Sequence, residues 1–404
     1  MHTAARALFL TVFIDLLGFG IVVPILAFSA KEYGANGMTL GLILGSFSLM
    51  QFIFAPVWGS LSDHAGRRPV IMASLVGNVL GFCAFALAAN VAMLFASRIL
   101  CGIAAASVAT AQAYVADSTD EANRTKGMAL IGMAFGLGIV LGPPIGGTLS
   151  SLGSGLALPP NMLPGAAAAS LSIVAMAIAF FTLPESKSKS ADGRRPGLWS
   201  MIDIESWILF FRLRQLRLAG GSLALLMCTL SSLAPILVLV GRDQFALSAR
   251  DVGILFGLMG LVVAAQQLSS IHVAARHLGD VGTGIFGAAS LVTGLLLIPF
   301  TRSVELLVVA VCLMGVGQGL CHPTLSAYIS KVAPPSKRGG ILGVSSSMNA
   351  LARCFGPPLA GLAYDAMKAP GAVFSQAAVA LAGVALSITL LAKKTGVRAV
   401  RASE

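Results

Sequence analysis

Long apolar segments alternate with short polar connections along almost the whole chain. Because an α-helix rises 1.5 Å per residue, about 20 apolar residues cross the ~30 Å hydrocarbon core of a bilayer. The pattern therefore predicts an all-α membrane protein with twelve transmembrane helices. We predict the spans at residues 6–30, 40–60, 70–89, 91–116, 126–150, 163–183, 218–241, 251–272, 281–300, 304–330, 338–363 and 371–392.

The two halves of the chain repeat each other. Tyr114 and Tyr328 are separated by 214 positions, and the pairs Arg124/Arg338 and Pro143/Pro357 share this offset. A constant offset over some thirty residues predicts two pseudo-symmetric six-helix bundles, with a cavity between them near the bilayer midplane. The predicted domains are 1–183 (N-terminal bundle), 184–217 (linker), 218–392 (C-terminal bundle) and 393–404 (cytoplasmic tail).

The linker carries its own signal. Residues 198–211 mix Trp, Phe and Ile with acidic positions, and Arg212, Arg214 and Arg217 follow. This composition predicts an amphipathic helix lying in the membrane interface. The alternative is a plain linker with an early start to the seventh span.

Composition and charge fit a membrane protein. The chain is 56% hydrophobic and 11% charged, with a mean hydropathy of +0.88, whereas soluble domains carry roughly 25% charged residues. The net charge of +11 is therefore interpreted as a topology signal rather than as a nucleic-acid footprint. Of the 27 Lys and Arg, two lie within spans and 20 fall on the side of the termini and linker. The other side holds five, Lys31, Arg242, Arg250, Arg302 and Lys368, so both termini are expected in the cytoplasm.

Enzymatic and metal chemistry find no support in the sequence. The six cysteines lie in apolar runs without Cys-x-x-Cys spacing, which favours buried small side chains over a disulfide or metal site. No nucleophile–base pair appears at membrane depth, and the connections are too short to hold one. The expectation is a protein that is not an enzyme and needs neither metal nor cofactor.

Two charged residues are placed inside spans of the first half. Asp15 is about nine residues into span 1, so ~14 Å deep, where a charged acid is costly and usually functional. It is a candidate proton carrier; the alternative is an acid that only pairs with a neighbour or with water. Arg98 shares a helical stripe of small residues with Gly102 and Gln112, which suits a cavity wall better than a lipid-facing surface.

Two motifs resemble those of a known family. The connection Gly59-Ser-Leu-Ser-Asp63-His-Ala-Gly66-Arg67-Arg68 resembles the loop between helices 2 and 3 of the Major Facilitator Superfamily. Residues 138–147, with Gly138, Gly142, Pro143, Gly146 and Gly147, resemble the span-5 motif of its twelve-span drug/proton antiporters, a group that includes the tetracycline efflux proteins.

The resemblance implies roles for these residues. Asp63 would interact with the N-terminal end of span 11, and Arg67 and Arg68 would complete a gating charge relay. Arg98 would assist proton transfer near Asp15; a structural hydrogen bond to backbone carbonyls is the equally weighted alternative. The span-5 motif would pack the two halves together and seal the outer end.

Substrate contacts are expected from polar residues in the spans. In this superfamily spans 1, 4, 7 and 10 line the cavity, which implies roles for Gln112, Gln318 and His322, with Gln51 and Gln266 next. Gln318 and His322 are four apart and share one helix face. Arg353, in span 11, has no acid partner that the sequence identifies.

The expected function is proton-coupled export of amphipathic organic compounds or drugs by alternating access. The expected partners are the substrate, protons and the lipid bilayer; the expected location is the bacterial inner membrane; and the expected state is a monomer. A transporter for a sugar, lipid or other metabolite is the first alternative, and a non-transporting membrane receptor is the second. Tetracycline stays open as the substrate, because Ser290 to Phe300 lacks the span-9 acid of those pumps.

Overall fold

The structure is a computed structural model that describes residues 2–105, 107–118, 121–185, 204–267, 271–334 and 337–401. Within these ranges the regular elements are helices, as the sequence predicts for an all-α membrane protein. They are α1 (His2–Glu32), α2 (Gly37–Ala65), α3 (Arg67–Ala86), α4 (Val91–Ala104), α5 (Ser107–Ser118), α6 (Glu121–Gly155), α7 (Met162–Thr182), α8 (Ile204–Arg212), α9 (Arg214–Phe245), α10 (Ala249–Ala265), α11 (Ile271–Leu297), α12 (Val304–Val332) and α13 (Arg338–Arg401).

Eight helices of the described part are long and apolar enough to cross a membrane. The predicted spans 11 and 12 account for part of the difference from twelve, because α13 merges them. Lys368 in α13 has φ 58° and ψ −152°, which interrupts the helical backbone between the two predicted spans. A single straight span would need only about 20 of its 64 residues.

Span 4 is interrupted in the middle. The structure has α4 and α5 in place of the continuous helix predicted at 91–116, with Ala105 at ψ 53° between them. The interruption frees backbone carbonyls, and in a bilayer these need other donors. The Ser74 hydroxyl donates to the Ala104 carbonyl at 2.5 Å, and the Trp58 indole N–H donates to the Ile103 carbonyl at 2.5 Å.

The predicted loop of residues 59–69 is almost entirely helical. The first part continues α2 to Ala65, and α3 begins at Arg67, so Gly66 alone separates the two helices. The loop prediction is wrong in this respect, because nothing before Gly66 breaks the helical hydrogen bonding. Pro69 falls in the first turn of α3, where a missing N–H costs no hydrogen bond.

The chain divides into two compact units. The first comprises residues 1–202 and 241–257, and the second comprises 203–240 and 258–404. In the first unit α1 packs against α6 and α7, and α3 against α4 and α7. Its core includes Leu8, Val12 and Ile71. In the second unit α11 packs against α12 and α13.

A buried amide fixes one end of the first unit. Asn161 is fully buried, and its side-chain N–H groups donate to the Phe85 and Ala88 carbonyls at 2.8 and 2.9 Å. The Tyr33 hydroxyl lies 2.8 Å from the Asn161 Oδ1 atom, and burial raises the pKa of this hydroxyl. Tyr33 therefore stays a hydrogen-bond donor at neutral pH and anchors the end of α1 to this amide.

Helix α8 has two different apolar faces. Phe210 is fully buried against Gly220 at the start of α9, whereas Ile204 and Ile208 are about 60% exposed. An exposed apolar face beside Arg212 is what the predicted interfacial helix requires. Residues 198–203 of that prediction lie outside the described part of the chain.

Candidate functional site

Asp15 is buried in the middle of α1, as the sequence analysis placed it. Its residue surface is 5% exposed, and the Asn78 side chain in α3 donates an N–H to the Asp15 Oδ1 atom at 2.8 Å. A buried carboxyl group needs hydrogen-bond partners in both protonation states. Asn78 supplies one of them and ties the acid to the adjacent helix.

Arg98 occupies the neighbouring interior of the same unit. It is 1% exposed; its Nη2 atom lies 3.6 Å from the Cys101 sulfur, and its guanidinium carbon lies 5.9 Å from the centre of the Phe85 ring. Within the described part of the chain its Nε atom has no hydrogen-bond partner. Arg98 and Asp15 are thus two buried charged residues of the same unit.

The glycines of the span-5 motif press directly on α1. A Cβ atom at Gly138 would lie 2.9 Å from the Leu16 backbone carbon, and one at Gly142 would lie 2.6 Å from the Gly20 Cα atom. At Gly146 it would collide with the Ile21 carbonyl. The motif thus packs against the stretch of α1 that begins one residue after Asp15.

The same motif also contacts α10, whose first nine residues belong to the first unit. A Cβ atom at Gly147 would lie 2.6 Å from the Ala249 carbonyl oxygen, and one at Gly253 would lie 2.5 Å from the Pro143 carbonyl oxygen. A Cβ atom at Gly257 would lie 2.5 Å from the Pro144 ring. The motif is therefore held close to both α1 and α10, and α6 continues through both prolines.

The junction between α2 and α3 is organised by an acid from beyond α7. Gly66 has φ 100°, a backbone conformation suited to glycine, and a Cβ atom there would lie 2.5 Å from the Glu185 Oε2 atom. The backbone N–H groups of Arg67 and Arg68 donate to the two Glu185 carboxylate oxygens at 2.8 and 3.2 Å. Glu185 thus satisfies free N–H groups at the start of α3, where a negative charge is favourable.

The two arginines of the junction make different contacts. Arg67 is 7% exposed; its Nε donates to Asp117 Oδ2 at 2.8 Å, and its Nη1 donates to the Ser62 hydroxyl at 2.6 Å. Arg68 donates to the Phe180 carbonyl at 2.5 Å, and its guanidinium carbon lies 5.5 Å from that ring's centre. The Asp63 side chain lies outside the described part, so its predicted contact with span 11 stays a prediction.

The predicted substrate-contact residues fall into two groups. Gln51 is half-buried in α2 of the first unit, and the Gln112 side chain lies outside the described part. In the second unit His322 is exposed and Gln318 is half-exposed on α12. Gln266, just after α10, approaches α12 between them: a Cβ atom at Gly319 would lie 3.1 Å from the Gln266 Cβ atom.

The sequence pattern does not single out three residues that contact the predicted site residues: Asn78, Asp117 and Glu185. Asn78 carried a usable signal, as a polar residue inside a span. Asp117 and Glu185 follow spans 4 and 6, and the charge distribution places both on the same membrane side as Arg67. Acids near a basic junction on one side are candidate partners, but the sequence does not show which acid reaches which arginine.

Comparisons with known proteins point to one family. The family model described as Major Facilitator Superfamily matches residues 8–357 and 223–403. The class D tetracycline resistance protein of Salmonella ordonez is 30% identical over 399 residues, covering 97% of both chains. The class C protein of Escherichia coli is 30% identical over 361 residues, covering 88% of each.

Solved structures agree with this result. The crystal structure of the human organic anion transporter MFSD10 matches with a TM-score of 0.71 and 27% identity, covering 96% of this chain and 99% of that one. The nucleoside transporter NupG matches with a TM-score of 0.75 at 14% identity, covering 96% and 98%, which supports the fold alone. The match extends over nearly the full length of both proteins.

Proposed function

Because the chain belongs to the Major Facilitator Superfamily, a family of membrane transporters, we propose that it exports amphipathic organic compounds in exchange for protons by alternating access. The family assignment confirms the prediction of a multi-pass membrane transporter rather than an enzyme. Similarity to tetracycline resistance proteins supports a drug or other organic compound as the substrate class.

One observation carries the proton-coupling part of the proposal. Asp15 is a buried acid inside a membrane-spanning helix and accepts a hydrogen bond from Asn78, and Arg98 is buried in the same unit. An acid in such a place can bind and release a proton, and intramembrane acids commonly mark proton relays. We assign Asp15 as the proton carrier and Arg98 as the residue that stabilises its charged form.

The remaining assignments follow from the same proposal. The span-5 glycines seal one end of the transport path, and the α2–α3 junction with Arg67 and Arg68 controls the other. The proton gradient is the energy source, with no bound cofactor. The protein acts as a monomer in the bacterial inner membrane. Both termini lie in the cytoplasm, and the distribution of Lys and Arg supports this orientation.

The test uses the purified protein in liposomes with an imposed pH gradient and a panel of amphipathic compounds that includes tetracycline. We expect compound-dependent proton flux in the wild type and its loss in Asp15→Asn. The matched control is Glu305→Gln, which neutralises a fully exposed acid in the first turn of α12 and should leave the flux unchanged. Flux that survives Asp15→Asn would refute the coupling role.

The same preparation separates the alternatives. Transport of sugars or lipids but not of the drug panel would favour a metabolite transporter. Saturable binding of compounds without any flux would favour the receptor.

A further inference from the structure

Helix α8 of the second unit is packed by one side and leaves an apolar face uncovered. Ile204, Ile208 and Phe211 are spaced four and three residues apart, so they share one face of the helix. Their exposed fractions are 62%, 61% and 43%. Ser206 and Phe210, four residues apart on the other side of the helix, are fully buried. Nothing in the described part of the chain therefore covers the face formed by the three apolar residues.

Three arginines adjoin this face. Helix α8 ends at Arg212 and α9 begins at Arg214, so Leu213 alone separates the two helices. Arg212, Arg214 and Arg217 are all exposed. The Arg217 Nη1 atom donates to the Phe211 carbonyl at 2.9 Å, which satisfies a carbonyl at the C-terminal end of α8. This hydrogen bond holds the guanidinium of Arg217 beside the exposed apolar face.

The local charge is positive. Glu205 is the single acid within α8, and its Oε2 atom lies 2.6 Å from the Lys337 Nζ atom, so Lys337 neutralises it. The next acid along the described chain is Asp243, 26 residues after Arg217 and close to the other end of α9. At 1.5 Å per residue this separation is roughly 40 Å. The nearest acids in sequence therefore leave the positive charge of the three arginines in place.

An aromatic pair lies on the same short helix. The Trp207 ring stacks on the Phe211 ring, with the ring centres 6.0 Å apart and an interplanar angle of 22°. Tryptophan is enriched at membrane–water interfaces, because its ring is apolar and its N–H is polar. An exposed apolar face, an aromatic pair and neighbouring arginines together match a lipid surface that carries negative headgroups.

We propose that Arg212, Arg214 and Arg217 bind the phosphate group of an anionic phospholipid, while Ile204 and Ile208 insert among its acyl chains. A guanidinium offers two parallel N–H groups that match two phosphate oxygens. The inference goes beyond the proposed function. It requires a membrane setting, which the family assignment shows, and depends on neither the substrate nor the proton coupling.

The test uses Trp207 as the reporter, in the full chain with Trp58→Phe and Trp199→Phe. Bromine atoms on acyl chains quench tryptophan fluorescence on contact, so quenching shows which lipid lies against α8. The protein is reconstituted in phosphatidylcholine that contains increasing fractions of brominated phosphatidylglycerol or brominated phosphatidylcholine. We expect phosphatidylglycerol to bind at least about fivefold more tightly, which is the factor that one arginine contributes near an anionic surface.

Substitutions of the arginines locate the headgroup site. The triple variant Arg212→Gln/Arg214→Gln/Arg217→Gln should abolish the preference for phosphatidylglycerol. Replacing the same three residues with lysine should retain most of it, because the positive charge is kept.

A matched control removes the same number of charges elsewhere. Arg242, Arg250 and Arg302 are exposed arginines on the side predicted to lie opposite the linker, and replacing all three with glutamine should leave the preference unchanged. The variant Ile204→Ser/Ile208→Ser tests the apolar face. It should weaken quenching by both lipids and keep their ratio.

A second measurement needs no variant. The unfolding temperature of the wild-type chain in a neutral detergent is compared after addition of phosphatidylglycerol or phosphatidylcholine. We expect phosphatidylglycerol to raise the unfolding temperature more than the same concentration of phosphatidylcholine.

Several outcomes overturn the inference. They are equal quenching by the two lipids, a preference that survives the triple glutamine variant, and a preference that the control variant removes to the same extent. Inorganic phosphate that cancels the preference, when sodium chloride of equal ionic strength does not, would assign the arginines to a free phosphate. The measurements use neither substrate nor a pH gradient, so their failure would leave the proposed export standing, and failure of export would leave the lipid site standing.

Discussion

Two glycines of the motif at the α2–α3 junction, Gly59 and Gly66, lie in different local structures. Gly66 has a positive φ and lies against the Glu185 carboxylate, so both its backbone and its surroundings exclude a side chain. Gly59 is helical, and nothing lies within 4 Å of where its Cβ would be. The local backbone and its contacts, rather than membership of the motif, therefore determine whether a glycine is required at each position.

We expect Gly66→Ala to destabilise the protein by about 1–3 kcal/mol, because alanine is strained at this φ and its methyl group would displace Glu185. Gly59→Ala should be neutral or stabilise by up to about 1 kcal/mol, since alanine is the better helix former. Thermal unfolding of both variants in detergent checks the pair. A Gly59→Ala variant as unstable as Gly66→Ala would contradict the structural explanation.

Asn78 offers a second prediction at the residue scale. Asn78→Leu removes the side-chain N–H that donates a hydrogen bond to Asp15. A hydrogen bond to a charged group contributes about 1.5–3 kcal/mol to stability. We expect coupled proton flux in liposomes to fall roughly tenfold or more, with substrate binding retained. The control is Ser29→Ala, a buried hydroxyl of α1 without a hydrogen-bond partner in the described residues. Unchanged flux in Asn78→Leu would exclude a role for Asn78 in positioning Asp15.

At the scale of elements, α6 carries the span-5 motif and packs against the part of α1 that follows Asp15. Its glycines pack on α1 directly after Asp15, and its prolines contact α10. Under the proposed function, a change at Asp15 would reach the motif through these close contacts between α1 and α6.

Substitutions along α6 test this packing. Gly142→Ala would place its methyl group 2.6 Å from the Gly20 Cα atom, and overpacking of this kind costs about 1–3 kcal/mol. Gly136→Ala is the matched control on the same helix, because nothing lies within 4 Å of its Cβ position. We expect loss of thermal stability and of transport in the first variant only. Equal behaviour of the two would show that the close approach of α1 and α6 is not required.

The sequence predicted the helices better than their interruptions. Hydrophobic periodicity located α1, α3, α7 and α12 within a few residues, because crossing a bilayer demands long apolar helices. The interruption of span 4 at Ala105 could not be predicted: residues 103–106 contain neither Gly nor Pro. What permits it is tertiary, namely donors from Ser74 and Trp58 that lie far away in sequence.

The site shows the same division between local and tertiary information. Asp15 and Arg98 could be identified from the sequence alone, because a charged residue within a long apolar segment is unusual. Asn78, Asp117 and Glu185 became partners only through folding. The repeat offset predicted two related halves, but it could not predict that residues 241–257 belong to the first compact unit.

At the scale of the whole molecule, the first compact unit includes residues 241–257 from the second half of the sequence. Lys31 at the end of α1 and Asp243 at the end of α9 form an ion pair of 3.7 Å within the first unit, although they come from opposite halves of the sequence. An exposed pair of this kind contributes only about 0–1 kcal/mol, so it can break easily. Because both residues belong to one compact unit, we expect the two positions to stay together during transport.

Cross-linking tests this expectation in a variant without native cysteines. We expect Lys31→Cys/Asp243→Cys, joined by a short reagent with a reducible spacer, to transport both before and after the spacer is reduced. The comparison pair is Asp280→Cys/Lys331→Cys, which lies within the second unit and should also transport when cross-linked. Loss of transport in the first pair alone, restored when the spacer is reduced, would contradict this expectation and show that Lys31 and Asp243 move apart.

The interruption of span 4 can be monitored by tryptophan fluorescence. The chain has three tryptophans, Trp58, Trp199 and Trp207, and Trp58 donates its indole N–H to a carbonyl freed by the interruption. Replacing the other two with phenylalanine leaves one emitter attached to this point. Its fluorescence then reports in real time whether span 4 closes into a continuous helix when substrate or protons are added.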